Sequence, residues 1–122
     1  MPLIDSPRHH DLHGATFSSY VCPSTGSREL CAWRTTLGPA QPGADHRVDH
    51  EEVFLVLAGS PRITLDGLVT HAHVGDVVFV PAGSSVRLDN PGADECQVWV
   101  SAPVGLTATT AQGQRITPPW TL

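Results

Sequence analysis

Pro42-Gly43-Ala44-Asp45-His46-Arg47-Val48-Asp49-His50-Glu51-Glu52-Val53-Phe54-Leu55-Val56-Leu57-Ala58-Gly59 opens on a turn pair and ends in the longest apolar run of the chain, Val53–Ala58. A short apolar run rich in Val, Leu and Phe, closed by a glycine, predicts a buried β-strand over Glu52–Ala58. It is far shorter than the ~20 residues a membrane helix needs. His46, Val48, His50 and Glu52 are spaced by two, so a regular strand places all four on one face, and Phe54 and Val56 follow with the same parity.

The same pattern repeats outward from this stretch. Strands are predicted at Thr16–Val21, Glu29–Leu37, Arg62–Leu65, Leu68–His73, Asp76–Val80, Ser85–Leu88 and Glu95–Ser101, parted by turn clusters such as Gly38-Pro39, Gly59-Ser60-Pro61 and Asn90-Pro91-Gly92. Asp66-Gly67 between two of them is the sharpest signal, a two-residue hairpin turn. No long window keeps a helical period without Gly or Pro breaking it. Eight strands at this spacing read as a jelly roll or small barrel. The N-terminal segment 1–15, with His9, His10 and His13, is expected to be mobile and lacks the charged start and apolar core of a signal peptide. From Gly105 the tail is polar but ends Pro118-Pro119-Trp120-Thr121-Leu122, so Trp120 is expected to dock on the barrel or on a partner subunit.

Composition narrows the chemistry. The 122 residues suit one domain, 1–122, with a motif core at 38–103 and extensions at 1–15 and 104–122. Eleven Gly and eleven Pro supply the turns. The seven basic residues are all Arg, which excludes Schiff-base or P-loop lysine chemistry. At net charge −5 and with its arginines scattered, the chain has no basic stripe for nucleic acid, and no nucleic-acid or membrane partner is expected. Cys22, Cys31 and Cys96 lack metal-type spacing and fit reduced thiols of a cytoplasmic protein, Cys31 and Cys96 as small core residues, with a Cys22–Cys31 bridge left open.

The block from His46 to Asn90 resembles the cupin superfamily through both of its motifs. Glu52 and Gly59 have the first motif's spacing and His46 stands at its first His. Gly75, Pro81, Gly83 and Asn90 match the second motif. The resemblance implies an all-β fold, a double-stranded β-helix or jelly-roll barrel, and a homodimer. It also implies a divalent metal held by two His and the Glu of the first motif and one His of the second. Here the second and fourth of those positions are Val48 and Val86. A branched alkyl group has no lone pair to give, so half of the ligand set is absent and that part of the pocket is apolar.

Three readings of the remaining polar groups stay open. His46, His50 and Glu52 could form a three-ligand site for Zn, Fe, Mn or Ni. The same His and Glu could serve as a metal-free acid–base set for isomerase, epimerase, cyclase or dehydratase-type chemistry on a small organic ligand, oxygenase-type chemistry going with the metal. Alternatively the site is a relic in a non-catalytic binding or sensory module, and Glu52 is then held by His46, His50, Arg34 or Arg87. Val48, Phe54 and Val86 are expected to line the pocket, and Gln97 and Trp99 join them if their face of the Glu95–Ser101 strand is the inner one. His71 and His73 flank Ala72, which the family pattern turns inward, so both are expected outside.

Overall fold

The computed structural model describes residues 3–122; Met1 and Pro2, the start of the 1–15 segment, lie outside the described residues. Among the described residues twelve strands run in chain order: β1 (Arg8–Leu12), β2 (Ala15–Val21), β3 (Leu30–Leu37), β4 (His46–Val48), β5 (Glu52–Ala58), β6 (Arg62–Leu65), β7 (Leu68–His71), β8 (Val77–Val80), β9 (Ser85–Asp89), β10 (Cys96–Pro103), β11 (Ala108–Thr110) and β12 (Arg115–Ile116). They form two six-stranded antiparallel sheets, ordered β1-β2-β3-β10-β5-β8 and β12-β11-β4-β9-β6-β7. The chain crosses between the sheets after β3, β4, β5, β7, β8, β9 and β10, which is the jelly-roll weave expected from the strand spacing.

Alternation decides what each strand buries. In β3, Cys31, Trp33, Thr35 and Leu37 are buried while their neighbours are half-buried or exposed. The central strand β10 buries Cys96, Val98, Val100 and Ala102. β5 buries Glu52, Phe54 and Val56. From the second sheet Val48, Ile63 and Val86 meet them in one core cluster. Ala72 is fully buried, and His71 and His73 are exposed on either side of it, as expected. All three cysteines are buried free thiols.

Two turns show how local chemistry fixes the frame. Asp66 and Gly67 both have positive φ, 47° and 81°, and join Leu65 to its partner Leu68, the type I′ geometry that an Asp-Gly pair favours. Gly59 ends β5 with φ 76°, and a Cβ there would lie 2.7 Å from the Glu95 carbonyl oxygen and from Cys96 Sγ. An L side chain in that conformation is strained, and the Glu95 backbone has no room to give. Gly59→Ala is expected to cost about 2 kcal/mol, read as a lower urea midpoint at unchanged m-value. Asn90, at the end of the second motif, is buried and donates Nδ2 to the carbonyls of Leu37, Gly38 and Asp94, while its Oδ1 accepts from the Gly92 amide.

Both chain extensions are built into the sheets. β1 pairs along its length with β2, and Ser18 Oγ lies 2.8 Å from His9 Nδ1, so the mobility expected of this segment gives way to an edge strand. Trp120 docks on this chain's own barrel, stacked on Phe17 at 3.7 Å between ring centres and edge-on to Trp33 at 6.4 Å. Ser19 Oγ donates to the Trp120 carbonyl at 2.8 Å and fixes the tail from the backbone side.

Candidate functional site

The alternating run His46–Glu52 does not continue as one strand. β4 ends at Val48, Asp49 and His50 make a bend, and β5 begins at Glu52 in the other sheet. The bend has a clear cause. Asp49 accepts from the Thr107 amide at 2.7 Å and the Thr107 hydroxyl at 2.9 Å, and His50 Nδ1 donates to it at 2.8 Å. Partial burial raises the Asp49 carboxyl, but the Thr107 amide, His50 and the Thr107 hydroxyl outweigh it and hold the pKa at about 2. An Asp clamped 58 residues away in sequence therefore breaks the spacing of two.

The expected trio His46, His50 and Glu52 is consequently dispersed. The His50 side chain is 40% exposed on the bend and committed to Asp49. His46 sits half-buried at the start of β4, its Nδ1 donating to the Ala44 carbonyl at 3.1 Å. Among the described residues no three His, Cys, Asp or Glu side chains come together as a set that could hold a metal ion. The donor set that is present does not fit the ion the fold family implies, because two positions are alkyl and the substitute imidazole points elsewhere.

Glu52 is the chemically distinctive group that remains. It is 4% exposed, enters the core from the first sheet, and its Oε1 has no hydrogen-bond partner. Burial alone pushes its pKa up to about 7. The four donors that could have held it are engaged elsewhere: His46 with Ala44, His50 with Asp49, Arg34 with the Tyr20 hydroxyl and Arg87 with Asp89.

The alkyl groups expected beside Glu52 are side chains of the packed core. Val48 and Val86 are buried, and because His46 pairs with Val86 the two valines are diagonal neighbours on the inner face of the second sheet. Phe54 is buried beside them in the same cluster. Gln97 and Trp99 require correction. β10 turns its all-apolar alternate set inward, so both lie on the outer face, Trp99 5.3 Å from Tyr20 and Gln97 donating to Glu95. Trp33 fills the interior instead. The alternation Cys31-x-Trp33-x-Thr35-x-Leu37 was the signal that could have found it.

The family model for the cupin domain matches residues 33–102, more than half of the chain. The chain belongs to the cupin family. Over 76 residues this cupin is 36% identical to auxin-binding protein 4 of Zea mays, an alignment covering 62% of the chain and 37% of the maize protein. The chain thus spans little more than a third of that relative's length. Among solved structures, the polyketide cyclase RemF from Streptomyces resistomycificus superposes with a TM-score of 0.76 at 18% identity, over 84% of this cupin and 79% of that chain. Salicylate 1,2-dioxygenase from Pseudoaminobacter salicylatoxidans, seen with gentisate, superposes with a TM-score of 0.73 at 19% identity, over 88% of this cupin and 31% of that chain. At these identities the two structures establish the shared fold.

Proposed function

We propose that this cupin acts on a small organic molecule without a bound metal, with Glu52 as the proton-transferring group at an apolar site walled by Val48, Phe54 and Val86. The observation that carries this reading is the buried Glu52 Oε1 without a partner, on a carboxyl whose pKa lies near neutrality. A carboxyl poised near pH 7 in an apolar site can hold or accept a proton at the working pH, which is what general acid–base catalysis needs. His46, half-buried at the start of β4, is the remaining imidazole of the first motif and the second candidate for proton exchange; His50 has no part in this version. The relatives named above support small organic ligands as the class, through the polyketide, auxin and gentisate of their names.

A binding role without turnover is the second reading, favoured by the sequence likeness to an auxin-binding protein. One experiment separates the two. Chelator-treated protein is titrated with gentisate and with an indole auxin by tryptophan fluorescence, and exchange of the ligand's C–H protons in D2O is followed by NMR. Ligand binding with exchange that Glu52→Gln abolishes supports catalysis. Binding with no exchange supports a binding module. Activity that appears only on adding a divalent metal overturns the metal-free reading.

The homodimer belongs to the outer face of the first sheet. Val53 pairs with Phe79 and Leu55 with Val77, and Val53, Leu57, Val77 and Phe79 are each at least 40% exposed. Contiguous exposed aliphatic and aromatic side chains on one sheet are costly in water and fit a self-complementary contact with a second copy. Phe79→Asp is expected to halve the mass measured by light scattering without lowering β-sheet content. A wild-type chain that runs as a monomer at tens of micromolar would exclude this face as an interface. Buried free thiols fit a reducing compartment such as the cytoplasm, and among the described residues no helix is long and apolar enough to cross a membrane.

A further inference from the structure

The outer face of the second sheet contrasts with that of the first. It carries Arg47 on β4, Arg62 and Thr64 on β6, Arg87 on β9 and Thr109 on β11, which line an open depression of about 730 Å³. Register explains the grouping: Arg62 pairs with Asp89, Thr64 with Arg87, and Thr109 with Arg47, and all of them have the parity opposite to the core residues Ile63, Val86 and Val48. At the floor lies Asp89, its side chain 3% exposed. It accepts from the Gly43 amide at 2.7 Å, from Arg87 Nε at 3.0 Å and from Arg62 Nε at 3.5 Å.

One buried carboxylate thus orients two guanidiniums by the same nitrogen. Among the described residues, neither Arg62 nor Arg87 donates from its Nη atoms to a protein acceptor. Both side chains are a little over a third exposed, so those amino groups remain reachable from solvent. Arg47 spends one Nη on the Gly83 carbonyl at 2.8 Å and adds its charge. Three guanidiniums face two carboxylates, Asp89 and the exposed Asp45, on a chain whose net charge is −5. A guanidinium fork already held in place loses less side-chain freedom on meeting an oxyanion, and each charge-assisted hydrogen bond is stronger than a neutral one.

We propose that this depression is an oxyanion-binding site, in which the Nη edges of Arg62 and Arg87 grip a phosphate or carboxylate group and Thr64 and Thr109 supply hydroxyl contacts. The depression is far larger than one phosphate ion, so the site takes an anionic head group with an organic body rather than the ion alone. It stands on the opposite side of the second sheet from Glu52, which does not line it, although His46 does.

The test is an NMR titration of 15N-labelled protein, observing backbone amides and arginine Nε resonances, with three probes: inorganic phosphate, glycerol 3-phosphate and succinate. The expected result is saturable shifts confined to Arg62, Thr64, Arg87 and Thr109, with glycerol 3-phosphate binding more tightly than phosphate. A succinate response stronger than that to glycerol 3-phosphate assigns the site to carboxylates instead of phosphate monoesters, within the same oxyanion chemistry. Binding should weaken as salt rises. The Arg62→Gln, Arg87→Gln double variant should lose at least about tenfold in affinity, Asp45→Asn should gain, and Arg34→Gln, on the opposite sheet, should match wild type. Because Asp89 loses donors in the double variant, the wild-type shift map and Asp45→Asn decide the matter if that variant does not fold. Shifts scattered over the surface, shifts elsewhere, or none at millimolar probe would overturn the proposal.

Discussion

Glu52→Gln is expected to raise the melting temperature at pH 8 by roughly 10 °C and to leave it nearly unchanged at pH 4. In the folded chain, burial lifts the carboxyl from 4.5 to about 7. The folded state therefore holds a proton that the unfolded chain has already released between those two values. Where the native state binds more protons, stability falls as pH rises. The contribution of Glu52 to stability should thus be fully present below about pH 4.5, decline through the window up to about 7, and level off above it. The total decline is about 3 kcal/mol, at 1.36 kcal/mol for each pKa unit, and for a chain of this length that is roughly 10 °C. Gln cannot ionise, so its curve should lack this decline and pull progressively above wild type from about pH 4.5 to 7. A wild-type melting temperature that does not fall between pH 5 and 8 would mean that the carboxyl finds a donor in solution, and the proton-transfer role would fall with it. The same titration identifies the direction of transfer. Turnover lost above pH 7 marks Glu52 as the acid, and turnover lost below pH 7 marks it as the base.

The elements whose identity rests on local chemistry were legible in the chain itself. Asp66-Gly67 forms the hairpin its residue types demand, and Glu52–Ala58 and Arg62–Leu65 are strands with the bounds read from sequence. Val48 and Val86 are buried alkyl groups where the family places imidazoles. What was not legible depends on partners distant in sequence. The parity from His46 to Glu52 fails because Asp49 is clamped by Thr107, which no local pattern shows. β1 has no apolar alternation, since as an edge strand it is mostly exposed, and its pairing with β2 carries the structure. The short β11 and β12 lie in the polar tail and exist because β4 offers β11 a partner. The inward face of the Glu95–Ser101 strand stayed open in the sequence, because both alternate sets carry residues that can be buried; flanked by β3 and β5, the strand buries the set of Cys96, Val98 and Val100. The oxyanion depression left little trace, because Arg62 and Arg87 are 25 residues apart and meet only through the β6–β9 register.

Trp120→Ala is expected to cost about 3–5 kcal/mol, the range for removing a large aromatic from a core. That is a large share of the 5–15 kcal/mol by which a domain is usually stable. Trp120 is 7% exposed although only two residues follow it in the sequence, and it joins the main core cluster through Phe17 and Trp33. Its removal also frees the neighbouring backbone: the Trp120 carbonyl accepts from Ser19, and the Thr121 carbonyl from the Cys31 thiol. The variant should therefore expose Cys31 as well as unfold more easily. A thiol reagent under native conditions should modify it at least about tenfold faster than in wild type, as local opening becomes easier. Trp120→Phe separates packing from polarity. The indole Nε1 is buried without a partner, and an unsatisfied buried donor costs about 1–3 kcal/mol. Phe keeps the stack on Phe17 and removes that donor, so the loss from the smaller ring is offset and the change should stay within about 1 kcal/mol of zero. Equal damage from Phe and Ala would mean that the indole N–H finds a partner in solution, and that the tail is held by that bond rather than by the stacked ring.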